Sequence, residues 1–251
     1  MQTMSSYAFP LRYLRALAGI TAPRHYMTYR RAVYYSRRGY LCATDGHCAV
    51  VIDAREPEVD EPLAAPAWRP ADPCDAVEFL LPPDLVAALL RDGGVRCPWR
   101  HRAIVQVNVT TTWRADPSLA LPRVATVHYI KAQIRGSSIS HSVEVPQYEV
   151  SRFPELYLWK ILDACAPHVH KHLCEETENS TLNLRIYERM NQCFTAFEFD
   201  KLRADYQRVR MWCRPSTRSV LTHQYLALPY GPINPGGGPP RIIGVAMPMR
   251  V

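Results

Sequence analysis

The sequence predicts an α+β fold that repeats one unit, a strand followed by a helix and then by further strands. Two observations predict it. The unit occurs twice, over residues 5–53 and again over 77–157, with an acidic, proline-rich connection at 54–76 between the copies. The first helix carries Leu11, Leu14 and Leu17 at helical spacing between Pro10 and Gly19, and proline and glycine are favoured just inside a helix start and just past its end.

In chain order, Tyr7–Phe9 reads as a short strand and Pro10–Gly19 as a helix with Arg12 and Arg15 off its apolar stripe. Tyr26–Tyr35 and Gly39–Ile52 read as strands around a turn at Ser36–Gly39. Glu56–Pro62, with Pro66, Pro70 and Pro73 after it, is too rich in proline for regular structure. Val77–Leu81 then reads as a strand and Pro82–Leu90 as a helix stopped by Gly93-Gly94. Ala103–Thr110, Ala125–Gly136 and Ser142–Val150 complete the second copy as strands. Beyond it, Leu156–Asp163 has helical character, and Thr181–Tyr187 with Cys193–Phe199 alternates as a hairpin around Met190-Asn191. Val209–Cys213, Val220–Leu228 and Ile242–Met247 are the remaining strands, the last preceded by a loop around Gly236–Gly238. The expected division is one domain at 1–157 and a second, divergent one at 158–251.

Composition narrows the class. At 47% hydrophobic and 21% charged the chain is globular, and no apolar run approaches the roughly 20 residues of a membrane span. No signal-peptide layout opens it, so the expected location is cytoplasmic. Eight scattered cysteines without a Cys-x-x-Cys pair suggest reduced thiols. A net charge of +7 favours an anionic partner, nucleic acid first.

Three short segments carry a resemblance. They are Ala43-Thr44-Asp45-Gly46-His47, Arg152-Phe153-Pro154-Glu155, and the closing Val245-Ala246-Met247-Pro248-Met249-Arg250-Val251. In this order and at these elements they resemble the bacterial DNA polymerase III β sliding clamp, in its middle domain and C-terminus. The resemblance covers residues 5–160 and the last ten, and is poor over 162–241. The chain departs from it at Cys48 and Ala49, where the family places an arginine and a branched aliphatic, and at Leu158 and Trp159, where it places basic residues and a valine. The positive net charge departs too, because those clamps are generally acidic.

The resemblance implies a DNA-clamp fold, with helices on one face of curved antiparallel sheets. It also implies a peptide pocket drawn from Met27, Thr44, Gly46, His47, Pro154, Leu158, Val245, Met247, Pro248, Met249 and Arg250. Local chemistry alone reads Thr44–His47 as a hairpin turn and Met247 as core. Arg12, Arg15 and Arg91 sit on the inferred helices, where the resemblance implies that they face the backbone of double-stranded DNA without reading its sequence; an ordinary solvated helix face is the alternative. Lys160, Lys201, Arg203, Arg208 and Arg210 are weaker candidates. The implied partners are duplex DNA, a DNA polymerase and other clamp-binding peptides, and a clamp loader. A chain with room for two domains would close as a trimeric ring.

Other chemistry finds little support. Cys165, His168, His170, His172 and Cys174 are zinc-type ligands, but their spacing matches no familiar site and Pro167 interrupts them. Asp45, His47 and Cys48 are adjacent without an elbow motif or an oxyanion hole. No phosphate-binding glycine motif is present. The expectation is a non-enzymatic protein without cofactor or metal. It would be either a processivity clamp or a clamp-derived, non-ring protein that binds or sequesters replication peptides.

Overall fold

A computed structural model describes residues 3–54, 77–96, 103–115, 124–155, 158–160, 184–198, 209–214, 224–229 and 242–246. The first unit is β1 (Thr3–Pro10), α1 (Leu11–Ala18), α2 (Thr28–Arg31), β2 (Val33–Tyr35), β3 (Tyr40–Thr44) and β4 (Cys48–Asp53). The second is β5 (Phe79–Leu81), α3 (Pro83–Arg96), β6 (Ile104–Ala115), β7 (Val124–Ile134), β8 (Ser140–Pro146) and α4 (Gln147–Val150). Helix α5 (Leu184–Glu198) and strands β9 (Val209–Arg214), β10 (Gln224–Pro229) and β11 (Ile242–Ala246) follow.

The fold is mixed α+β, with two antiparallel sheets ordered β1-β6-β7-β8 and β5-β2-β3-β4-β11-β10-β9. The two units exchange their first strands. β1 pairs with β6 of the second unit, from Thr3↔Thr111 to Pro10↔Ile104, while β5 pairs with β2 of the first. Neither unit can complete its sheet alone. Helix α1 packs against both α3 and α5, and Leu11, Tyr13, Leu14, Ala16 and Leu17 are its buried residues. Its first amide, Leu11 N–H, donates to Ala103 O at 2.8 Å, so an otherwise orphan donor is satisfied by the second unit.

Strand β11 seals the C-terminal part to the first unit. It pairs with β4 from Ile242↔Ile52 to Ala246↔Cys48 on one side and with β10 on the other. All five of its residues are buried, as expected for a central strand whose sequence runs apolar rather than alternating. The seven-stranded sheet therefore crosses the expected division at 157/158.

Several elements differ from the sequence expectation. Tyr26–Tyr35 is not a strand throughout; α2 occupies Thr28–Arg31, and only Val33–Tyr35 is extended. Within this segment burial starts only at Ala32, and Tyr26 is 80% exposed. Helix α3 runs through Gly93-Gly94 to Arg96. Gly93 is there for contact, since an added Cβ would lie 2.1 Å from Leu11 Cδ2. The segment read as a hairpin around Met190-Asn191 is the helix α5, with Ile186, Met190, Cys193 and Phe194 buried along one stripe. Strand β8 stops at Pro146, beyond which Gln147–Val150 turns helical. No helix among the described residues is long and apolar enough to cross a membrane.

Candidate functional site

The β3–β4 turn is held by its own side chains. Thr44 Oγ1 accepts the Gly46 N–H at 3.0 Å and donates to Cys48 O at 2.7 Å. Asp45 Oδ1 accepts the N–H groups of His47 at 2.7 Å and Cys48 at 2.8 Å. Gly46 takes φ +94°, a conformation that L side chains rarely adopt. The turn leaves Gly46 and His47 exposed and Thr44, Asp45 and Cys48 buried.

The second oxygen of Asp45 pairs with Arg189 Nη1, from the middle of α5. Arg189 also donates to the carbonyls of Gly19, Ile20 and Thr21, just past the C-terminus of α1, where a cation is favourable. One guanidinium thus ties three elements. Burial works to raise the Asp45 pKa, but the Cys48 and His47 amides and Arg189 outweigh it and hold it below the usual value. Burial, then the Asp45 charge, pushes the Cys48 thiol up to about 12. At neutral pH that thiol is protonated and a poor nucleophile.

Opposite the turn stands the segment after α4. Phe153 is buried and stacks on Tyr34 with ring centroids 4.2 Å apart and planes 4° from parallel. Tyr29 meets it edge-on at 6.3 Å. The Tyr34 hydroxyl lies 2.8 Å from both Glu78 Oε2 and Glu155 Oε2. Trp159 Nε1–H donates to Glu155 Oε1 at 2.8 Å, so Glu155 braces the wall from behind. Burial first, then Glu155 and Glu78, raises the Tyr34 pKa and keeps that hydroxyl protonated.

Between these parts lies a cavity of about 240 Å³. It is lined by Thr44, Gly46, His47, Cys48 and Ala49 from the β3–β4 hairpin, Phe153, Pro154 and Leu158, Val245 of β11, and Tyr29 and Arg30 of α2. Its size is below the roughly 300–1,000 Å³ of a site enclosing a drug-sized ligand. It suits a few apolar side chains of a docked segment, with polar groups at the rim.

Of the expected pocket residues, the structure brings Thr44, Gly46, His47, Pro154, Leu158 and Val245 around this one cavity. Met27 precedes α2, its N–H donating to His25 Nδ1 at 3.0 Å, and is not among the lining residues. Met247, Pro248, Met249 and Arg250 lie outside the described residues, as do the 165–174 histidines and cysteines and Lys201, Arg203 and Arg208. Arg12 and Arg15 lie half-exposed on α1, and Arg91 and Lys160 are exposed. Arg210 is in β9. Among the described residues no group of three His, Cys, Asp or Glu could hold a metal ion.

Tyr29, Arg30 and Arg189 belong to this site and were not expected. Helix α2 was read as strand and α5 as hairpin, so neither reading aimed those side chains at the turn. The available signal for Arg189 was the stripe of Ile186, Met190 and Cys193 around it, which leaves it at the edge of a buried helix face. No family model matches the sequence, and neither the curated proteins nor the solved structures give a match.

Proposed function

We propose that this chain is a sliding-clamp-like, non-enzymatic scaffold of the DNA-clamp fold that binds short apolar peptides of replication partners. The observation that carries the reading is the single cavity on which three distant segments converge, Thr44–Ala49, Phe153–Leu158 and Val245. These are the segments whose motifs resemble the β clamp. A peptide laid there would meet Thr44 and His47 as polar handles and Pro154, Leu158 and Val245 as apolar wall. Tethering acts by raising local concentration, because a polymerase held at the pocket of a ring around duplex DNA need make no base contact. Arg12, Arg15 and Arg91 supply backbone contacts in that mechanism.

A second reading, a clamp-derived peptide-binding protein that does not encircle DNA, has an observation in its favour. Among the described residues, the part beyond 157 supplies the short helical stretch at 158–160, then α5 and three strands joined to the first unit's sheet. That is one helix-and-strands set, where the first 157 residues hold two.

Peptide affinity tests what the two readings share. Calorimetric titration with an acetylated, amidated leucine-rich hexapeptide is expected to give saturable binding. Removing Met247–Val251 is expected to abolish it with the far-ultraviolet circular dichroism unchanged. Filling the cavity by Ala49→Phe should weaken binding at least ~10-fold, about 1.4 kcal/mol. Undiminished affinity in both variants would refute the pocket.

A further inference from the structure

Arg30 reaches the rim of this cavity from α2 and lies flat on the turn. A Cβ placed on Gly46 would sit 2.5 Å from both Arg30 Cζ and Nη1. Its Nε–H points to the Tyr29 hydroxyl at 3.4 Å, and its Nη1 is 3.1 Å from His25 Nε2. The second contact joins two donors. The backbone N–H of Met27 donates to His25 Nδ1 at 3.0 Å, so Nδ1 is the accepting nitrogen and Nε2 carries the ring hydrogen. The hydrogens of His25 Nε2 and Arg30 Nη1 therefore converge, with no acceptor between them among the described residues.

Among the described residues no carboxylate pairs with Arg30; Glu78, Asp92, Glu149 and Asp45 each pair with another partner. Asp45 is the acid of this turn, and both of its oxygens are taken by two amides and Arg189. Among the described residues, positive charge at the rim is thus left without a counter-charge. Desolvation, then Arg30 and Arg31, lowers the His25 pKa and favours the neutral ring, in which Nε2–H remains a donor.

We propose that Arg30 and His25 form a carboxylate subsite at the mouth of the cavity, so that the segment docked there is an apolar peptide with an aspartate or glutamate beside its anchor. The subsite rests on the peptide-binding reading and gives it a partner chemistry. A carboxylate oxygen between the two donors would accept from both, and charge-assisted bonds to a guanidinium are about twice as strong as neutral ones. Cys48 leaves the turn itself without a cation, and Arg30 supplies one from a different element. Discrimination follows, since a peptide bearing lysine there would meet like charge.

The test is calorimetry on the full chain at low salt. The probes are acetylated, amidated leucine-rich hexapeptides with one aspartate placed at each position in turn, each beside its asparagine counterpart. The expected result is one position at which aspartate binds about 10-fold tighter than asparagine, with the advantage falling as salt rises. Arg30→Gln should erase that advantage, so that the aspartate and asparagine peptides bind the variant alike. Equal affinities at every position on the wild-type chain would overturn the subsite alone, and this arm needs no variant to fold. Failure of every peptide to bind would overturn the peptide-binding reading and the subsite with it.

Discussion

At the scale of single residues, the site depends on one ion pair outside the cavity. Arg189 is 32% exposed and Asp45 7% exposed, so removing the cation leaves a buried carboxylate and three carbonyls without their donor. Arg189→Met should lower stability by about 3 kcal/mol, the smaller end of the cost of breaking a buried pair; urea unfolding checks it, and a loss under about 1 kcal/mol would contradict the role. The acid side of the stability profile gives a second test. The folded pKa of Asp45 is depressed, so at pH values between its folded and unfolded pKa the unfolded state binds more protons. Its contribution is full above the ordinary aspartate value of about 3.9 and is lost as pH falls through the folded pKa. Asp45→Asn should therefore flatten the fall in stability below about pH 4. An unchanged acid slope in that variant would show that the carboxylate is not held as described. Thr44, Gly46, His47, Pro154, Leu158 and Val245 were legible in the sequence because each lies within or just beyond a short motif. Arg30 and Arg189 were not, because each reaches the turn from an element distant in sequence.

At the scale of elements, glycine at two successive positions of α3 separates helix propensity from packing. Gly93 has Leu11 where a Cβ would be, whereas nothing lies within 4 Å of that position on Gly94. Gly94→Ala should stabilise by up to about 1 kcal/mol through propensity. Gly93→Ala should destabilise by about 1–3 kcal/mol, because overpacking exceeds that gain. Thermal unfolding of the pair decides it, and equal effects would mean that α1 and α3 are not in such close contact. The first unit was largely legible, with α1 falling between Pro10 and Gly19 as expected. The exchange of β1 and β5 was not, because strand order depends on pairing between segments about 45 residues apart for β2 with β5 and about 100 for β1 with β6. Helix α5 was mistaken because alternation over Thr181–Tyr187 resembles a strand, and its 3.6-residue stripe appears only when 186–194 is taken as one window.

At the scale of the whole molecule, the two interlocked units and the strands carried by β11 place the cavity where the parts meet. β4 bears one wall, β11 supplies Val245, and the segment after α4 supplies the other wall. A motion of the C-terminal strands relative to the first unit would therefore change the pocket. The ring and non-ring readings differ in a property of the assembly. Light scattering on a sizing column should give a concentration-independent trimer if a ring forms on its own, and a monomer if the chain acts as a peptide binder alone. Contact with duplex DNA, proposed for Arg12 and Arg15 of α1 and Arg91 of α3, is a separate matter. Replacing Arg12, Arg15 and Arg91 by alanine should reduce the salt dependence of DNA binding by up to about three units of log–log slope. An unchanged slope would place DNA elsewhere or nowhere.

The peptide's place on the chain is the most direct test of the pocket. A leucine-rich hexapeptide with a photo-reactive diazirine on one leucine, irradiated on the full chain and mapped by mass spectrometry, reads that location. Adducts within Tyr29–Arg30, Thr44–Ala49 or Phe153–Leu158, suppressed by excess unlabelled peptide, are the predicted result. Competable adducts confined to any other part of the chain would contradict it.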